Sequence, residues 1–233
     1  MTKTFGTSYL ISTKRAWELI ILRKNSGPQP GFRSPYRGIE PFRYVDRENF
    51  FGQTRAIQEL YAKILLYRLV VLFGDSGTGK SSLLNAALIP TMLKEGLRAE
   101  RLRVRPDPTQ PFAIERIPTT EREDRNFLPS IFVQDDAEHP GDPIAACSLE
   151  RFLPSVRDRS AAASPLLIFD QFEELFTLFE EKEQGATGGE VLQDQILNAI
   201  FEIVSDLTLK AKVVIVIRED FLGKLEILAK SFP

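Results

Sequence analysis

The 233 residues contain one cysteine, one histidine, one tryptophan and two methionines. A single cysteine, Cys147, excludes an internal disulfide framework and fits a reducing compartment, and with the lone His139 it cannot build a Cys/His zinc site. No apolar stretch nears the roughly 18 residues that a membrane helix needs. The start, MTKTFGTSYLISTKRAWELIILRKN, lacks the compact apolar run and small-residue cleavage site of a signal peptide. The expectation is a cytoplasmic protein with no membrane partner. Excess charge is missing too: Lys plus Arg number 30 and Asp plus Glu 32, a formal net charge of −2. Nothing in that balance favours direct binding to nucleic acid. What remains, 43% hydrophobic and 27% charged residues, is the composition of an ordinary globular chain, long enough for one α/β domain with or without a small appendage.

The chain divides by composition. In KRAWELIILRK, residues 14–24, Trp17, Ile20 and Ile21 fall at roughly helical spacing, which predicts a helix packing on the main domain or on a partner. NSGPQPGFRSPYRGIEPF follows, with four prolines and three glycines in eighteen residues, a composition that breaks regular structure. Residues 1–34 are therefore an N-terminal helix and linker, and the compact domain runs over 35–233. Asp46 is expected to cap a short helix ending near Phe50, and Thr54 to Tyr67 carries an apolar stripe of Ala56, Ile57, Leu60, Ile64 and Leu65. The short apolar run at 69–73 has the composition of a strand buried on both faces, and 101–105, 166–169 and 213–217 are three more strand candidates. Helical segments at 80–93, 148–157, 173–183 and 191–207 lie between them. Strands alternating with helices predict βαβ units and a mostly parallel sheet. Residues 106–147, rich in Pro, Asp and Glu, form an irregular insertion, and 184–190, QGATGGE, a surface turn.

Gly74-Asp75-Ser76-Gly77-Thr78-Gly79-Lys80-Ser81 satisfies G-x-x-x-x-G-K-[ST] at every required position, after an apolar strand and at the start of a helix. Glycines at 74, 77 and 79 let backbone N–H groups turn inward around phosphates, and the helix start adds its positive dipole end. Lys80 reaches the β and γ oxygens, the Ser81 hydroxyl ligates magnesium, and Ser82 is a more distant candidate. The loop thus predicts a bound nucleoside triphosphate with magnesium. A neighbouring strand tip must supply a carboxylate, and Leu166-Leu167-Ile168-Phe169-Asp170 does so, which assigns Asp170 to magnesium. For the water-activating carboxylate Glu174 stands first and Glu173 second. A solvated first helical turn, where acids suit the dipole, explains either equally simply. Arg218 ends the fourth run, where it either senses the γ-phosphate or makes a surface ion pair.

PYRGIEPFRYVDRENFFGQ, LFGDSGTGKSSLLNAALIP, LLIFDQFEELFTLF and VVIVIREDFLGKL together resemble the novel STAND NTPases, signal-transduction ATPases of the AAA-like (ASCE) branch of P-loop proteins. The resemblance spans about residues 35–230. It implies a three-layer P-loop fold and an ATP-dependent switch, often in bacterial conflict or antiviral defence, joined to effector and sensor partners and able to self-associate. It further implies Phe51 and Gly52 in the adenine pocket, Asp170 as the magnesium acid and Arg218 as the γ-phosphate sensor. Gln53 stands where the family usually has arginine. In the resembled fold a fifth strand, a helical lid and a winged-helix domain would follow Pro233; without that strand, Leu69 to Phe73 is expected to be an exposed apolar edge. Two other functions fit the same loop. One is a small-molecule kinase, with Arg116, Arg122 and Arg125 as lid arginines; the other is an interaction module that holds nucleotide without turnover.

Overall fold

A computed structural model describes residues 17–21, 41–105, 113–116, 146–160, 164–180 and 188–225. Its centre is a single sheet in the order β1-β2-β7-β6-β3-β4-β5. The strands are β1 (Trp17–Ile21), β2 (Leu69–Gly74), β3 (Leu97–Arg105), β4 (Ala113–Arg116), β5 (Ala146–Cys147), β6 (Ser164–Phe169) and β7 (Lys212–Arg218). The first five in that order run parallel, and β4 and β5 add an antiparallel flank. The four strand candidates all became strands; in β2, β6 and β7 β-branched and aliphatic side chains buried on both faces suit the interior of a parallel sheet, whereas β3 carries arginines at 101, 103 and 105.

Alternation along these strands feeds two cores. Val70, Leu72, Val214, Val216, Leu166 and Ile168 face one way, onto Leu60 and Ile64 of α1 (Thr54–Leu66) and onto the helix that follows the glycine loop. Val71, Phe73, Ile215, Ile217, Leu167 and Phe169 face the other way, onto α4 (Leu149–Ser160), α5 (Glu174–Glu180) and α6 (Gly188–Ser205). Helices on both faces of a mostly parallel sheet make a three-layer α/β domain.

The helix after the loop is interrupted. It comprises α2 (Lys80–Leu83), a π turn (Leu84–Leu88) and α3 (Ile89–Lys94). In the π turn the Ile89 N–H donates to Leu84 O, five residues back. Pro90 follows and has no N–H to offer, so the ordinary ladder cannot simply continue there; Thr91 Oγ1 donates instead to Ala87 O at 2.8 Å.

Several expectations are corrected. The helix predicted around Trp17 is a strand, β1, whose residues pair with β2 from Trp17↔Leu69 to Ile21↔Phe73. A short apolar run does not decide between helix and strand, and the open N–H and C=O groups of β2 decide it for the strand. By the same pairing β2 is not an exposed edge: it lies between β1 and β7. Asp46 is not an N-cap but lies inside the short 3-10 helix Tyr44–Asn49, where its carboxylate accepts the Arg43 N–H at 3.0 Å. Helix α6 begins at Gly188, so part of the predicted surface turn is helical, with 184–187 outside the described residues. The segment 106–147 contributes β4 and β5, and the rest of it, with Arg122, Arg125 and His139, lies outside the described residues, as does the proline-rich stretch up to residue 40. No helix among the described residues is long and apolar enough to cross a membrane.

Candidate nucleotide site

Three strand ends meet at one rim of the sheet. Gly74 ends β2 and is in register with Arg218 at the end of β7, while Phe169 of β6 pairs with Ile215, so that Asp170 emerges beside them. Crevices outside the carboxyl ends of parallel strands are where α/β sheets bind ligands, because loops and helix N-termini converge there.

The loop between β2 and α2 has the backbone its glycines allow. Gly77 and Gly79 have φ of 76° and 90°, a left-handed conformation that costs an L-residue roughly 1–2 kcal/mol. A Cβ at either glycine would meet nothing within 4 Å, so the requirement here is conformational and the concave side is open. Thr78 Oγ1 donates to Asp75 O at 2.8 Å, closing the turn. Lys80 Nζ donates to Gly74 O at 2.7 Å and to Asp75 O at 2.8 Å, so the ammonium lies folded against its own loop. Burial pushes its pKa down, against the upward pull of Glu173, Asp170 and Asp75 and with the downward push of Arg218. Lys80 bonded to Gly74 O, Gly74 in register with Arg218, and the Arg218 N–H bonded to Glu173 place these groups at one rim of the sheet. Ser81 is half-buried in the first turn of α2, whereas Ser82 is engaged elsewhere: its Oγ accepts the Phe42 N–H at 3.0 Å.

Asp170 is only 3% exposed. Its N–H donates to Leu102 O at 2.8 Å, and its Oδ1 accepts the Gln171 N–H at 3.0 Å. Gln171 has φ of 55°, rare for a residue other than glycine. The chain there turns sharply, returning the Phe172 N–H to Val216 O of β7 at 2.9 Å. The turn separates the two glutamates. Glu173 Oε2 accepts the Arg218 N–H at 3.2 Å at the β7 tip. Glu174 faces the other flank, where Arg105 Nη1 stands 3.2 Å from its Oε2 without hydrogen-bond alignment. Burial pushes the Glu174 carboxyl above its ordinary range, opposed by Arg105 and Arg103.

Arg218 makes the surface ion pair that was one of its two expected roles: Nε and Nη2 bond the Asp220 carboxylate at 3.1 and 2.6 Å. Its guanidinium also lies 5.5 Å from the centre of the Phe221 ring. Phe51 is 74% exposed and Gly52 has φ of 85°. An open cleft of about 480 Å³ lies nearby, lined by Phe50, Ile57, Arg47 and Ala86 among others, but no residue of the phosphate loop borders it.

The oxygen chemistry at this rim fits magnesium. Ser81 and Asp170 are hard oxygen donors, and magnesium retains waters and phosphate oxygens for most of its ligands. Among the described residues no group of three or more His, Cys, Asp or Glu is arranged to hold a metal by itself.

Sequence reasoning passed over two residues. Arg101 of β3 is 7% exposed and forks onto Asp170: Nε bonds Oδ2 at 2.9 Å, and Nη2 bonds the same oxygen. Its Nη1 donates to Asn85 Oδ1 at 3.2 Å. Asn85, in the π turn, donates in turn to Phe42 O at 3.2 Å. The available signal was a charge directly after Leu97 and Ala99 on the same buried face of β3, since buried charges require partners.

The acid expected on a neighbouring strand tip follows β6, with β7 between it and β2; a glycine loop between a buried parallel strand and a helix, with an acid on the tip of the next strand but one, is the arrangement of an α/β nucleotide-binding protein of the P-loop kind. The model of one family, described as Novel STAND NTPase 1, matches residues 35–231. The chain belongs to that family. Searches among curated proteins and among solved structures found no match.

Proposed function

We propose that the protein is an ATP- and magnesium-dependent regulatory switch of the STAND type, acting in bacterial signalling or antiviral defence in the cytoplasm, with effector or sensor domains or further copies of itself as partners. The observation that carries this reading is the convergence at the ends of three adjacent parallel strands, where Lys80 donates to Gly74 O, Gly74 is in register with Arg218, Arg218 N–H donates to Glu173, and Asp170 follows β6, in a member of an NTPase family.

In this reading the amides of Gly74 to Ser81, including those of Asp75, Ser76, Gly77, Thr78 and Gly79, surround the phosphates, and Lys80 leaves the carbonyls of Gly74 and Asp75 to meet the β and γ oxygens. Ser81 and Asp170 hold the magnesium. The metal supplies charge neutralisation on the β and γ oxygens. Of the two glutamates, Glu173 is the better placed to orient water, because it acts on Lys80 and anchors the tip of β7, whereas Glu174 pairs with Arg105. Arg218 exchanges Asp220 for the γ-phosphate and so couples nucleotide state to β7. Phe50, Phe51 and Gly52 border the base, and the preference for ATP over GTP is drawn from the resemblance of the motifs to signal-transduction ATPases.

Calorimetry with ATP, ADP and magnesium on the wild type and Lys80→Ala, with phosphate release followed in the same samples, tests the proposal. Expected are binding that Lys80→Ala removes and slow release that Glu173→Gln suppresses at least roughly a hundredfold and Glu174→Gln far less. No binding by the folded wild type sinks the reading. Binding without release points to a module that holds nucleotide, and release of ADP only with an added acceptor points to a kinase.

A further inference from the structure

We propose that Arg101 is a positioning residue for the magnesium-side carboxylate, and that through Asn85 it ties that carboxylate to the backbone at Phe42. The inference rests on the nucleotide-binding reading above.

The chain of contacts is continuous and buried. Phe42 N–H donates to Ser82 Oγ and Phe42 O accepts from Asn85 Nδ2, at 3.0 and 3.2 Å. Asn85 Oδ1 accepts from Arg101 Nη1, and Arg101 Nε and Nη2 both reach Asp170 Oδ2. Asn85, Arg101 and Asp170 are 5%, 7% and 3% exposed. Two features of the fold serve this chain. β3 pairs Arg101 with Ile168, whose side chain faces the α2 layer, while the next pair, Leu102 and Phe169, faces the opposite core. Arg101 is therefore directed toward the helix that follows the phosphate loop. The π turn contains Asn85 in the middle of that helix, and such turns re-aim side chains at functional sites.

The division of labour on the carboxylate is specific. Oδ2 takes two guanidinium N–H groups, while Oδ1 takes the Gln171 amide and retains acceptor capacity. A fork on one oxygen fixes the carboxylate plane, and an acid whose charge is already partly compensated suits a hydrogen bond to metal-bound water. An ion pair that served stability alone would be a poor use of a buried site, since an apolar pair of similar volume often does as well. The backbone at Phe42, nine residues before Phe51, is thereby linked to the acid on the metal side.

The test is nucleotide binding by calorimetry with ATP and with ADP, once in EDTA and then across a magnesium titration, on wild type, Arg101→Gln, Arg101→Lys and Asn85→Ala. Affinity in EDTA is expected to stay at the wild-type value in every folded variant. The magnesium concentration at half-effect is expected to rise roughly ten- to hundredfold in Arg101→Gln, as when a partner behind a metal ligand is removed, and by less in Arg101→Lys and Asn85→Ala. Loss of melting temperature without that rise is the signature of a structural ion pair and overturns the proposal. Where Arg101→Gln fails to fold, Arg101→Lys decides; where that also fails, Asn85→Ala decides, and an unchanged magnesium midpoint overturns the proposal in either. A wild type that binds no nucleotide, or binds it without magnesium dependence, overturns this inference together with the reading beneath it, and is seen before any variant is compared.

Discussion

Cys147 shows how position sets the chemistry of a single side chain. It ends β5, pairs with Ile114, and lies 8% exposed at the far side of the sheet from the phosphate loop. Burial pushes its thiol up to about 11, only partly offset by Arg151. The folded thiol holds its proton at pH values where an unfolded one, with an ordinary value near 9.0, releases it. The folded state therefore binds more protons in that window, and stability falls as pH rises from about 9 toward 11. Denaturant titrations should show a steeper loss in the wild type than in Cys147→Ala, the difference isolating the thiol from Lys80 and the other groups that titrate in this window, and a thiol reagent at pH 8 should label the protein only as it unfolds. Rapid labelling of the native protein would refute the account. At the same scale, Lys80, Ser81 and Asp170 were legible in the sequence because their chemistry demands fixed spacings or a strand tip. The rotation that separates Glu173 from Glu174 was not, because it depends on Gln171 at φ of 55°.

Among elements, α4 is held by an aromatic ladder. Phe152 is fully buried, and its ring meets Phe169 edge-on at 6.0 Å; Phe169 meets Phe172, and Phe172 meets Phe176. Phe152→Ala should cost about 3–5 kcal/mol, the usual range for truncating a buried aromatic, measured as a lower denaturation midpoint at unchanged slope. Strand β1 carries a second prediction. Its five residues cover β2 in parallel register, and without them β2 would present a row of unpaired backbone groups. Deleting residues 1–25 should lower the melting temperature by at least roughly 2–4 °C, the equivalent of 1 kcal/mol in a domain of this size, and cause concentration-dependent aggregation. A deletion that melts like the full chain would show that the pairing contributes nothing. The helix expectation for this segment failed because Trp17, Ile20 and Ile21 fit either period, and only an available sheet edge chooses between them.

For the whole molecule, a ligand that binds the native state alone must raise its stability. At one hundred times its dissociation constant, ATP with magnesium should add about 2.7 kcal/mol, seen as a rise in melting temperature that Lys80→Ala does not share. A nucleotide that leaves the wild-type melting curve unmoved would argue against a site in the folded domain. Such linkage matters here because Lys80, Asp170 and Arg218 belong to three separate stretches of the chain, brought together by the sheet.

By itself the amino-acid sequence determined the phosphate loop, the buried strands, the helices between them and the acid that follows β6, since each is written in local spacing and in runs that only a two-sided sheet can bury. Strand order, the use of residues 17–21 as a sheet edge, and the link from Phe42 through Asn85 and Arg101 to Asp170 were decided by the tertiary structure. The Arg101–Asp170 contact joins residues 69 positions apart in the chain, and the β2–β7 pairing joins residues further apart still, such as Leu69 and Val213. A buried charge or an open strand edge finds its partner across space, by the energy of leaving it unpaired, and no local pattern records where that partner will be.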